Sequence, residues 1–207
     1  MDELESFIPP SKRPAKFHFS EIKITGEPVK TDWTNQIPKE VNKQLQELYD
    51  LVHRKPQEAI VRLTKLKDKY PTVPILYNYL GIAYSNNKDP KKARDMALEN
   101  YKNNPKYLFA KINYAEMCLT KGDINLIPSI FENKFDLQML YPHRDTFHIS
   151  EAAGFFGVLG MYWKKKGMVD QAKMAYDVLK KIAPHHEVTK RLSRALMLHP
   201  LKKFIGL

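Results

Sequence analysis

The chain has 207 residues, 43% hydrophobic and 28% charged, a balance typical of compact globular proteins that excludes global disorder. One cysteine, Cys118, excludes an internal disulfide and every multi-cysteine zinc pattern, and it fits a reducing compartment. The net charge of +11 is uneven: residues 151–207 hold eleven Lys and Arg against four acids, whereas the first thirty residues hold five of each. A basic end of this kind attracts nucleic acid, anionic lipid or an acidic protein, or is simply a solvated face.

Residues 1–36 read as an extended arm, with Pro9, Pro10, Pro14 and Pro28 and then "FHFSEIKIT", whose alternation fits a short strand. The arm either packs on the rest of the molecule or waits for a partner. The opening "MDELESFIPPSKRP" places acids where a secretory signal needs positive charge, and no apolar core follows, so a cytoplasmic location is expected.

Residues 37–186 carry helical spacing. In residues 40–73, Leu45, Leu48, Tyr49 and Val52 form a first-helix stripe, sitting two residues late relative to Ala59 and Pro71, so a shortened turn through "HRKPQ" is expected. Residues 74–107 contain "LGIAY" at Leu80–Tyr84, then Ala93 and Pro105. Residues 108–141 offer Tyr114, Ala115, Cys118 and Phe131, but Ile127 stands where a small residue belongs, and Pro128 disturbs any helix that contains it in its interior. An insertion follows at 142–152, "PHRDTFHISEA", either a lengthened helix with its turn or a loop on a binding face. Ser150 is the expected N-cap for the next helix.

That helix, in residues 153–186, opens with "GFFGVLGMYWKKKG". Gly154, Gly157 and Gly160 are three apart each time, which is not G-x-G-x-x-G after a strand, and no Gly-Lys-Ser/Thr is present. The apolar run is also too short to span a membrane. Glycines three apart line one side of a helix and let a neighbour come close. Residues 187–207 end the chain with "HHEVTKRLSRALML", where Val188, Leu192, Ala195 and Leu196 form one stripe suited to a capping helix.

The three elements "LGIAY", Ala93 and Pro105 recur as "LGMYW", Ala172 and Pro184, and Ala59 and Pro71 lie thirty-four residues before Ala93 and Pro105. This resembles the tetratricopeptide repeat family, a 34-residue helix–turn–helix unit with W-x2-L-G-x2-Y, A-x3-F and P signatures. With Pro74 as position 1, Tyr77, Leu80, Gly81, Tyr84, Ala93 and Pro105 fall on positions 4, 7, 8, 11, 20 and 32. From Ala153, the residues Phe156, Leu159, Gly160, Trp163, Ala172, Tyr176 and Pro184 fall on 4, 7, 8, 11, 20, 24 and 32. The resemblance implies an all-α, right-handed superhelical solenoid of about four repeats with a C-terminal capping helix and an extended N-terminal arm. It also implies that Gly81 faces Ala93, and Gly160 faces Ala172, across their hairpins.

Ligand contacts in the family tend to fall on the concave first helices. Carried over, the groove residues are Ile75, Asn78 and Ile82, then Phe109, Ile112, Glu116 and Leu119, then Met161, Lys164 and Lys165. The apolar members imply a strip that takes a peptide or helical segment, unless Phe7, Ile8, Phe17 and Phe19 of the arm already fill it. Members that hold the C-terminal carboxylate of heat-shock chaperones use Lys, Asn and Arg at fixed positions. Here those positions carry Gln44, Leu48, Tyr79, Phe109 and Asn113, so that clamp is missing.

The expected function is a non-catalytic protein-interaction scaffold, adaptor or chaperone-like module with no cofactor. The alternative is RNA binding through the basic end: Lys164 to Lys166, Lys180, Lys181, Lys190, Arg191, Arg194, Lys202 and Lys203. "HRD" at His143–Asp145 echoes a kinase catalytic loop, but Ser150 stands where Asn is needed and no glycine-rich phosphate loop exists. His143, His148 and Cys118 lack the close helical pairing of a metal site, so no metal is expected, and Cys118 is expected in the core.

Overall fold

The computed structural model describes residues 22–29 and 37–197. The expectations for Phe7, Ile8, Phe17, Phe19, Lys202 and Lys203 lie outside the described residues. Within them the protein is mostly helical, its helices packed in sequence order as antiparallel pairs.

Helix α1 (Lys39–Arg54) buries Val41, Leu45, Leu48 and Val52, whose spacing puts them on one face. Only Lys55 separates it from α2 (Pro56–Lys69), the shortened turn that the offset of Ala59 requires. Prolines begin α2, α3 (Pro74–Asn86) and α4 (Pro90–Asn103), where a missing N–H leaves no intrahelical acceptor unpaired. The Asp89 carboxylate caps α4 by accepting from the Lys92 N–H at 3.0 Å. Helix α5 (Leu108–Lys121) stops at Gly122, whose φ of 91° is the left-handed conformation that glycine adopts without strain.

No full-length helix follows α5. The chain makes a 3-10 turn at Ile124–Leu126, then α6 (Ile127–Ile130) and α7 (Leu137–Leu140). Pro128 sits in the first turn of α6, where proline is tolerated. Ile127, Ile130 and Phe131 are nonetheless buried, so short pieces fill the core space of a second helix. The Lys111 side chain, itself buried, donates to the Ile130 carbonyl at 2.9 Å and to Glu132 Oε1 at 3.0 Å, tying α5 to the end of α6.

Strand β1 (Lys23–Thr25) pairs in parallel with β2 (Thr146–His148), with Lys23 opposite Thr146 and Thr25 opposite His148. The alternation in the arm therefore does give a short strand, and the insertion supplies its partner. Helix α8 (Ile149–Lys165) begins directly after β2, and α9 (Val169–Ile182) packs back against it. Helix α10 (Glu187–Met197) closes the array on α8 and α9, with Leu192 buried and Lys190 and Arg194 exposed.

The apolar interior divides in two. One cluster joins α1, α2 and α3 through Leu48, Val52, Leu63, Leu76 and Leu80. The other joins α5 to α10 through Leu108, Phe131, Phe147, Phe155, Leu159 and Leu192. Burying each such side chain contributes about 1.5–3 kcal/mol. Between the clusters lies an amide seam. Asn78 Oδ1 on α3 accepts from Asn100 on α4 and Asn113 on α5, both at 3.1 Å. Asn100, buried, also donates to the Pro74 carbonyl at 3.2 Å and accepts from Asn104 at 3.0 Å.

Candidate interaction surface

Ile75, Tyr79, Ile82 and Asn86 recur along α3 at spacings of four, three and four, which places them on one stripe. The three apolar members are half-buried at the margin of the first cluster, and Asn86 is exposed. The stripe continues onto α1: the Tyr49 ring lies 5.6 Å from that of Tyr79 and 5.1 Å from His53, and Asn86 Nδ2 donates to the Val52 carbonyl at 2.9 Å. Tyr49 keeps 42% of its surface exposed. Burial holds the Tyr79 phenol above its ordinary range, so it remains a neutral donor and acceptor at physiological pH.

On α5 the sequence-derived residues part company. Phe109 is half-buried, its ring 5.8 Å from that of Tyr107. Ile112 and Leu119 are only 4% and 5% exposed and line no open surface. Ile112 is covered by a contact across the chain: Gly154 of α8 lacks the Cβ that would come within 3.1 Å of an Ile112 methyl, so α8 closes over it. Glu116 is paired with Arg191 of α10. Asn78 is committed to the amide seam, with Tyr107 Oη 3.5 Å from its Nδ2. Of the proposed groove residues, Ile75, Ile82, Phe109, Met161 and Lys164 are half-buried and Lys165 is exposed.

The three glycines of α8 have separate neighbours. Gly154 receives Ile112; a Cβ on Gly157 would collide with Val188 of α10, and one on Gly160 with Leu192 of α10. Gly160 therefore admits the capping helix, with Ala175 rather than Ala172 as its nearest neighbour on α9. Gly81 faces the Ala93 carbonyl across its hairpin, with space for a methyl at 3.9 Å.

The N-terminus of α8 is held by the "HRD" segment. Arg144 makes a two-pronged ion pair with the buried Glu151, at 3.1 and 2.7 Å, while its guanidinium sits 4.3 Å over the Phe147 ring. Glu151 Oε2 also accepts from the His148 N–H at 3.0 Å. His148, not Ser150, is the N-cap: its Nδ1 accepts from the Ser150 N–H at 3.2 Å. With Nδ1 accepting, Nε2 carries the proton and donates to the Gly26 carbonyl at 3.1 Å. One imidazole thus caps α8 and fastens the arm.

Among the described residues the basic groups of α8 and α9 stand apart. Lys164–Lys166 end α8 and Lys180–Lys181 end α9, and antiparallel packing sends these to opposite ends of the hairpin, about 20 Å apart for helices of this length. Lys166 is bonded to Asn125 at 2.9 Å, and Lys190 pairs with Glu187 at 2.7 Å. Arg194 lies 3.9 Å from the same carboxylate, and Arg191 holds Glu116. Cys118 is buried, and burial pushes its thiol above the ordinary range, which keeps it protonated and unreactive. No helix among the described residues is long and apolar enough to cross a membrane.

No protein-family model and no curated protein matches this chain.

Proposed function

We propose that the protein is a tetratricopeptide-like solenoid that holds a peptide or helical segment of a partner protein, as a non-catalytic adaptor or chaperone-like module. The observation that carries this reading is the stripe of Ile75, Tyr79 and Ile82 on α3, continued by the exposed Tyr49 of α1. Half-exposed aliphatic and aromatic groups in line, rimmed by Asn86 and His53, offer the area and the edge donors that peptide recognition uses. Support for the repeat architecture comes from the 34-residue period. Its leucines, Leu80 and Leu159, are both fully buried on first helices, and a helix pairs back on each.

The face available to a partner is shorter than the family pattern implies. It runs over α1 and α3 to Phe109, because Ile112 and Leu119 are covered and α10 lies across the far end. A reading through basic charge would rest on lysines that stand at opposite ends of the α8–α9 hairpin and on cations of α10 that already face carboxylates. The test is affinity capture of proteins with wild type and with Ile82→Glu, Tyr49→Ala and Lys180→Glu/Lys181→Glu. Discrete partners lost with the first two variants and kept with the lysine pair support the groove, provided circular dichroism stays helical. Capture indifferent to Ile82 and Tyr49 in folded variants rejects it.

A further inference from the structure

The first helices of the hairpins all run the same way. Asn86 at the end of α3 bonds to Val52 near the end of α1, and Asn78 meets Asn113 at the matching place on α5. Helix α8 lies parallel to α5. Gly154 meets Ile112 near their starts, and Lys166 donates to Asn125 just past their ends at 2.9 Å. The turns after α1, α3, α5 and α8 therefore share one edge of the array, at residues 54–58, 88–92, 121–126 and 164–170.

That edge is basic: the four stretches hold nine Lys and Arg against four acids. Two of the acids, Glu58 and Asp89, already face Lys55 and Lys92 at 3.5 and 3.6 Å. Arg54, Lys88, Lys91, Lys121 and Lys165 are exposed, and none of them enters an ion pair among the described residues. The same edge also shows apolar side chains to solvent. Leu126 is 44% and Met168 40% exposed, and the Lys166–Asn125 bond holds their two turns side by side.

Aliphatic tips set among lysines suit the boundary of a lipid bilayer. The tips enter the margin of the acyl region while the ammonium groups stay with the headgroups. A nucleic-acid strand is the poorer match, because unpaired bases stack on aromatic rings and Leu126 and Met168 offer none.

We propose that this edge docks on a membrane surface rich in anionic lipid. Leu126 and Met168 enter the interface, and the row of cations from Arg54 to Lys166 lies on the headgroups. None of these residues belongs to the stripe on α1 and α3, so the two surfaces stand or fall separately.

The experiment is cosedimentation of the full chain with phosphatidylcholine vesicles, with or without about one third phosphatidylserine. Wild type follows the anionic vesicles and not the neutral ones, and added salt weakens the binding. Lys121→Ala with Lys165→Ala weakens it by about tenfold or more, at roughly fivefold per lysine. Leu126→Ser with Met168→Ser weakens it by about tenfold, because the inserted apolar area is lost. Lys180→Ala with Lys181→Ala, at the other end of the hairpin, leaves it within about twofold. A polarity-sensitive fluorophore on Met168→Cys shifts to the blue on anionic vesicles, and one on Lys180→Cys does not. Every variant is first checked for helical circular dichroism. Failure to bind anionic vesicles overturns the proposal, as does an equal loss from the two lysine pairs or a Met168 fluorophore that stays in water. Capture of single-stranded RNA in place of vesicles, indifferent to Leu126 and Met168, overturns it in favour of nucleic acid.

Discussion

Gly81 and Gly157 both sit inside helices, yet a methyl group at each meets a different neighbour. At Gly81 the space is free to 3.9 Å, so Gly81→Ala gains helix propensity and stabilises by about 0.5–1 kcal/mol. At Gly157 the methyl strikes Val188, so Gly157→Ala costs about 1–3 kcal/mol and loosens α10. Urea midpoints check both, and Val188→Ala added to Gly157→Ala restores part of the loss; an additive double mutant contradicts this packing. Glu132 gives a pH dependence. Hydrogen bonds from Lys134, then from the buried Lys111, hold its carboxyl below the ordinary range. A depressed carboxylate stabilises the fold above its unfolded pKa and loses that contribution as pH falls through the folded value. Wild type is therefore more stable than Glu132→Gln at neutral pH, and the difference closes in acid. The same difference at both ends of the titration contradicts the role given to Lys111.

At the scale of elements the notable fact is the amide seam where an aliphatic interface would be expected. Asn100→Ala leaves the Pro74 carbonyl and the Asn104 amide without their bonds and costs about 1–3 kcal/mol. With apolar clusters on either side, hydrogen exchange is expected to resolve two cooperative units that meet at α4. One opening free energy shared from α1 to α10 would contradict that division. Much of this layer was legible beforehand. The proline starts of α3 and α8's glycine stripe, the short turn at Lys55 and the capping stripe of α10 are local patterns, and local patterns survive folding. What escaped was non-local. The burial of Ile112 depends on Gly154, forty-two residues away; Glu116 is claimed by Arg191, and β1 finds β2 across most of the chain. His148 rather than Ser150 is the cap, since α8 starts at Ile149, and its ring also reaches Gly26, a long-range contact that spacing alone does not reveal.

The whole molecule is an array whose two ends differ. Toward α10 the surface is closed by the capping helix, its salt bridge to Glu116 and the arm on β2. Toward α1 the stripe of Tyr49, Tyr79 and Ile82 stays partly open. A partner is therefore expected on the α1–α3 side, and its affinity is expected to vary weakly with salt, because the contact area is apolar rather than a set of free cations. The direct measurement places a photoreactive amino acid at Ile82, at Phe109 or at Val61, which is 54% exposed on α2, and crosslinks in the source cell. The account predicts one shared protein adduct from positions 82 and 109 and none from 61. Adducts from 61 alone, or none from 82 and 109 in folded protein, would contradict it.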